Sequence, residues 1–248
     1  MAAAAPQGST AITQAANKIK GERDTIVLLV VAGYDGTMAS VRARALSTLA
    51  GQLGRPRGVL GKGVAFILNR GNRRAVLGAV DAAQLTAGSS AADVGFGGGV
   101  GLAALLDRVG ENGTVHGIEI SEDMLDRART RHGAEIASGR IALAKGSLTE
   151  LPLADNALDA AITVNTVYFV QDLDAAATEL ARVVRPGGRL VVGIGDPEAM
   201  AKAPFTEYGF TLRPVAEVRA ALERAGCAVE QRELPNTPIP HHLLIATP

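Results

Sequence analysis

The stretch Ala91-Ala92-Asp93-Val94-Gly95-Phe96-Gly97-Gly98-Gly99-Val100-Gly101 decides how the rest of the chain is read. A short apolar run ends in an acid, glycines follow at 95, 97, 98, 99 and 101, and Leu102-Ala103-Ala104-Leu105-Leu106 starts a helical pattern at once. Glycine tolerates positive φ and carries no Cβ, so the backbone of such a turn can press against a ligand. In an open α/β sheet a turn of this kind sits where cofactors bind.

Working outward, Glu119 closes the next apolar run, Thr114-Val115-His116-Gly117-Ile118-Glu119, 24 residues after Gly95. An acid at the end of a second strand can accept both hydroxyls of a ribose, so turn and acid together point to an adenosine cofactor. The dinucleotide fingerprint G-x-G-x-x-G does not fit, because its third glycine falls on Val100. Asp93 stands two residues before Gly95, where its carboxylate would repel a pyrophosphate but could face a cationic aminopropyl group. A nicotinamide-dependent oxidoreductase and a non-catalytic adenosine-binding protein remain the alternatives of other classes.

From Ser89 onward strands and helices alternate, which specifies a mostly parallel sheet with helices on both faces. Strands are predicted at 90–94, 114–119, 140–144, 157–164, 188–194, 227–233 and 241–247. Helices are predicted near 99–109, 121–132, 172–184 and 214–225. Only Pro235–Pro240 separates the final two strands, too little for a parallel crossover, so the last strand should run antiparallel. The expected organisation is a leader over 1–36, a helical cap over 37–84 and a cofactor-binding catalytic domain over 85–248.

The segments resemble the class I S-adenosylmethionine-dependent methyltransferases, especially the branch of ubiquinone/menaquinone-type small-molecule enzymes. Asp93-Val94-Gly95-Phe96-Gly97-Gly98-Gly99 is similar to the first motif, and Glu119 matches the ribose-binding acid. Leu151-Pro152-Leu153-Ala154-Asp155-Asn156-Ala157-Leu158-Asp159 resembles the leader into the fourth strand. Arg185-Pro186-Gly187-Gly188-Arg189-Leu190 resembles the turn before the fifth. The resemblance implies a Rossmann-like fold with an antiparallel last strand, S-adenosyl-L-methionine as cofactor and a small-molecule acceptor.

Asp93, Gly95, Gly97, Gly99 and Glu119 are then the expected cofactor residues. Where relatives often place an acid for adenine, this chain has Lys145-Gly146-Ser147-Leu148, so adenine is expected at Ser147 and Leu148. Asn165 and Thr166, just past the fourth strand, are expected near the methionine part of the cofactor. Asn69-Arg70-Gly71-Asn72 is a candidate flap from the cap.

Methyl transfer from a sulfonium needs alignment and exclusion of water more than a metal or a covalent nucleophile. A hydroxyl acceptor also needs a base. His241 and His242 open the antiparallel strand at the cofactor edge, and histidine has a suitable intrinsic pKa. Strand alternation sends the two to opposite faces. Tyr168 is a candidate for orienting an acceptor or covering the methyl group. Tyr208 and Glu207 lie in a loop where acceptor contacts are common. His116 reads as a core residue, Asp172 as a helix cap and His132 as a favourable charge at a helix C-terminus. O-methylation of a sugar or polyketide hydroxyl is favoured over C-methylation of a quinone or lipid.

Composition sets the outer limits. The chain has 248 residues, 47% of them hydrophobic and only 3% aromatic, so aliphatic side chains must fill the core. One cysteine, Cys227, excludes an internal disulfide and is too few for a thiolate metal site. No run approaches the roughly 20 apolar residues of a membrane span, so a cytoplasmic protein is expected. The zero net charge hides eight basic and no acidic residues over 42–74, against 14 basic and 22 acidic residues from Asp81 onward. The basic segment suits docking on the acidic domain or weak contact with a membrane surface. Without interleaved aromatics it is a poor nucleic-acid surface.

Overall fold

In the computed structural model the described residues are 72–202, 206, 210–235 and 239–248. The expected leader, the cap and its basic segment up to Gly71, and the pair Glu207 and Tyr208 lie outside them. A helix over 72–82 (α1) comes first, and Asn72, from the candidate flap, begins it. β1 (Ser90–Val94), α2 (Val100–Val109), β2 (Thr114–Glu119), α3 (Glu122–Arg131), α4 (Gly133–Ala137) and β3 (Ile141–Lys145) follow. The second half contains β4 (Leu158–Val164), a 3-10 turn (Val167–Phe169), α5 (Leu173–Val183), β5 (Val184–Gly195), α6 (Pro197–Ala201), α7 (Val215–Arg224), β6 (Ala228–Leu234) and β7 (His241–Thr247).

The strands form one seven-stranded sheet in the order β3-β2-β1-β4-β5-β7-β6. All pairs are parallel except β5 with β7 and β6 with β7. This is the Rossmann-like sheet with an antiparallel last strand that the alternating pattern predicts. The chain leaves β1 toward β2 on one side and later returns to β4 on the other. The C-terminal end of β1 is thus the topological switch point.

The helices bury apolar stripes at helical spacing, against opposite faces of the sheet. α5 buries Leu173, Ala176, Ala177, Leu180 and Ala181 in a core shared with α7, Leu190 and Val192. α2 buries Leu102, Leu105, Leu106 and Val109 in the core of the other face, with α1, Met124 and Leu125 of α3, and Ile162. Each fully buried leucine contributes about 1.5–3 kcal/mol relative to exposure. Asp172 caps α5, its side chain accepting from the Ala175 N–H at 2.9 Å. β6 lies at the sheet edge and carries exposed Glu230, Arg232 and Glu233, charges that discourage pairing with another chain.

Three differences from the sequence reading have physical causes. α4, α6 and the 3-10 turn are too short to show a periodicity. β5 starts at Val184 rather than near 188, since Val184 pairs with Leu158 before a register shift absorbs the Pro186-Gly187-Gly188 segment. The charge expected of His132 at the end of α3 is corrected: the side chain is buried and burial lowers its pKa, so the neutral ring is favoured there. His116, half-buried on β2, also has its pKa lowered by burial.

Candidate cofactor and acceptor site

The glycine turn is built by two close approaches that only glycine permits. Gly95 has φ +74°, and a Cβ there would lie 2.6 Å from the Thr166 side chain. Thr166 follows β4, so the missing side chain lets the turns after β1 and β4 pack together. Gly101, in the first turn of α2, has the Asp93 carboxylate where its Cβ would be. The turn is anchored to β2 by the Gly95 N–H donating to the Ile118 carbonyl at 2.8 Å.

Glu119 holds the other side. One carboxylate oxygen accepts from Gly97 N–H at 3.0 Å, and the second accepts from Ile120 N–H at 2.8 Å and Ser121 N–H at 3.0 Å. A carboxylate offers about four lone-pair sites. With three backbone donors on those sites, Glu119 keeps acceptor capacity for a further donor. Beside it Ile120 is exposed at the end of β2, an apolar platform the sequence reading missed. Its signal was an apolar residue continuing past the strand with no buried partner to face.

Asp93 is buried at 5% exposure, and its carboxylate accepts no hydrogen bond from the other described residues. Burial, and secondarily the negative Glu119, push its pKa up to about 8. A cationic ligand group would offset both effects by supplying a counter-charge.

The far side of the site is organised by Asn165, in the left-handed region at φ +58°. Its backbone N–H donates to the Gly193 carbonyl at 2.8 Å. Its side-chain oxygen accepts from Gly195 N–H at 3.2 Å and from the Tyr168 hydroxyl at 3.3 Å. Its amide nitrogen lies 3.1 Å from His241 Nε2, and His241 Nδ1 lies 3.0 Å from the Ile239 carbonyl. One tautomer satisfies both contacts: Nδ1 carries the proton and donates to Ile239, while Nε2 accepts from Asn165. Burial lowers the pKa of His241, consistent with that neutral ring.

The two histidines do face opposite ways. His241 is almost fully buried, opposite Gly195 on β5. His242 shares its face with Leu244 and bonds Asp196 at 3.1 Å. Asp196 also caps α6 through Ala199 N–H, and these two partners hold its carboxyl below the usual range.

The expectation for Tyr168 is corrected. Its ring is 3% exposed, and its hydroxyl accepts from Gly195 N–H at 2.6 Å and donates to Asn165, so in this structure it holds those two residues together. The neighbouring Phe169 is the exposed aromatic. The 3-10 turn aims Tyr168 inward and Phe169 outward, which strand or helix periodicity could not foretell.

Ser147 and Leu148 lie in a turn beyond β3 whose Ser147 N–H donates to the Glu150 carbonyl at 3.2 Å. The Ser147 hydroxyl is 3.1 Å from that of Thr149. Their carrier loop continues into the leader segment, which Arg182 fastens. Its guanidinium donates to the Leu153 carbonyl at 2.9 Å, Asp155 at 2.6 Å and Glu179 at 2.7 Å. That motif is therefore structural in this chain. Among the described residues no group of three or more His, Cys, Asp or Glu could hold a metal.

A family model described as a methyltransferase domain matches residues 92–192. An uncharacterized methyltransferase of Bacillus subtilis, YdaC, is 30% identical over 137 residues, which is 55% of this chain and 72% of that protein. The chain belongs to the class I S-adenosylmethionine-dependent methyltransferases. Another relative, an O-methyltransferase of Pyrenophora dematioidea, is 28% identical over 165 residues, covering 57% of this chain and 61% of that one. A crystal structure of a SAM-dependent methyltransferase from Aquifex aeolicus shares the fold. Its TM-score is 0.60 with 24% identity, over 81% of this chain and 97% of that one. This methyltransferase spans less than half of some other curated relatives, including 46% of a demethylmenaquinone methyltransferase of Shouchella clausii and 38% of methyltransferase GfsG of Streptomyces halstedii.

Proposed function

We propose that this chain binds S-adenosylmethionine across the ends of β1, β2 and β4 and directs its methyl group to a hydroxyl of a small molecule. One observation carries the reading. The buried Asp93 carboxyl and the Glu119 carboxylate converge on a glycine turn at the switch point. Glu119 suits the ribose, Ile120 offers an apolar surface to the base, and Asp93 suits the cationic amino-acid end. Gly95, Gly97 and Gly99 let the backbone approach. Asn165 and Thr166 border the methionine side, and Ser147 and Leu148 border the adenine side.

When bound, the cofactor supplies an electrophilic methyl on a sulfonium, transferred in line to a nucleophile. The protein's part is to align the acceptor, exclude water and take up a proton. His241 Nε2 is the proton acceptor best connected to this edge, through Asn165 and the turn that touches Gly95. Like Tyr168, His241 is 3% exposed, so its Nε2 meets an acceptor hydroxyl only when the Asn165 amide turns aside and that hydroxyl takes its place as donor. The low pKa of His241 keeps the ring free of a proton near neutrality. Tyr168 acts as a positioning residue, since its hydroxyl holds Asn165 and Gly195 in register. His242 steadies Asp196 and α6.

Relatives named O-methyltransferase support an oxygen acceptor, while two named demethylmenaquinone methyltransferase keep carbon methylation as the competing reading. Calorimetry with S-adenosylmethionine, its demethylated product and NAD tests the site. Binding of the first two and not of NAD is expected, followed by labelled methyl transfer that His241→Ala reduces at least 100-fold and His242→Ala much less. No heat and no thermal shift with either sulfur nucleoside would remove the reading.

A further inference from the structure

Aromatic side chains are rare in this chain, with five Phe, three Tyr and no Trp. Among the described residues Tyr168, Phe169 and Phe210 nevertheless form one group. The Phe169 and Phe210 ring centroids are 4.8 Å apart at 59°, and those of Tyr168 and Phe210 are 5.7 Å apart at 41°. The Thr211 N–H donates to the Tyr168 carbonyl at 3.0 Å, which locks the segment before α7 onto the turn after β4. Tyr168 is buried, whereas Phe169 keeps 37% of its surface exposed.

Only Ile120 and Phe169 are exposed large hydrophobics among the described residues, and they follow the two strands that flank β1. Ile120 adjoins Glu119 and so lies on the ribose side. Phe169 lies on the opposite side: its N–H donates at 3.1 Å to the carbonyl of Thr166, the residue that abuts Gly95. The nucleoside thus has its own apolar platform, which leaves Phe169, on the β4 side, for the acceptor.

We infer that the Phe169–Phe210 pair is an acceptor wall for a flat aromatic alcohol, a phenol or naphthol, rather than for a sugar. A rigid pair of rings at a tilted angle presents both a π face and an edge, and favours another ring over a hydroxyl-rich saturated one. Among the described residues, the polar side chains assigned to this edge, Asn165 and His241, match one hydroxyl and its proton rather than the several hydroxyls of a sugar. This rests on the proposed cofactor site, since the acceptor side is defined by where the nucleoside binds.

The test uses 2-naphthol fluorescence with the whole chain saturated by S-adenosylhomocysteine; the absence of tryptophan keeps the protein background low. Phe169→Ala should weaken naphthol binding about tenfold, the equivalent of one stacking contact. Phe169→Tyr should restore it, and affinity for S-adenosylhomocysteine should stay within twofold in both. Phe169→Leu, which keeps most of the volume, serves if the alanine variant does not fold, and should still lose most of the binding. Naphthol affinity unchanged in these variants, or a methyl glycoside competing as well as phenol does, overturns the aromatic wall while leaving the cofactor site standing. Failure of S-adenosylhomocysteine to bind the wild type instead removes the cofactor reading.

Discussion

Replacing Asp93 by Asn should stabilise the cofactor-free protein and weaken cofactor binding at the same time. The Asp93 pKa rises from 3.8 to about 8 in the fold because burial penalises the charge. A raised folded-state pKa contributes fully below the unfolded value and is lost as pH rises toward the folded value. Stability therefore falls by about 1.4 kcal/mol per pH unit between those limits, or about 4 kcal/mol by pH 7. Asparagine has no charge to desolvate but brings its own unmet amide donors, at about 2 kcal/mol. The net gain at pH 7 is about 2 kcal/mol, or about 5 °C in Tm for a domain of this size. Melting both proteins without cofactor from pH 5 to 9 should show curves that meet near pH 5 and separate upward, with the variant higher. Calorimetry in buffers of different ionisation enthalpy should show the wild type releasing a proton on binding S-adenosylmethionine at pH 7, and the variant releasing none. A variant that melts lower than wild type at every pH, or by a constant offset, would refute the buried-acid account.

Gly95→Ala should cost about 1–2 kcal/mol for an alanine at φ +74° and force Thr166 away, lowering cofactor affinity at least tenfold; adding Thr166→Ala should recover part of that affinity in the same titration. Arg182→Ala should lower stability by about 2 kcal/mol, because the loop carbonyls of Leu151 and Leu153 and the carboxylate of Glu179 lose their shared donor. Denaturant unfolding would report that loss.

The glycine run, the spaced acid and the alternation of elements were legible because each is a local property of the chain. Positive φ needs glycine whatever surrounds it, and a six-residue link between strands cannot carry a parallel crossover. The sheet order β3-β2-β1-β4-β5-β7-β6 is a tertiary property, because alternation and crossover handedness prune the possible orders without choosing one. The tertiary structure decided what depends on distant partners. Asn165 meets His241 across 76 positions, and that meeting selects the tautomer of the ring. A single 3-10 turn buries Tyr168 and exposes Phe169, a difference between neighbours that no strand or helix period carries. Asp93 is an ordinary acid by its type; its reluctance to ionise comes from packing beneath α2 beside Glu119, because desolvation and Coulomb energy are set by neighbours in space rather than in sequence.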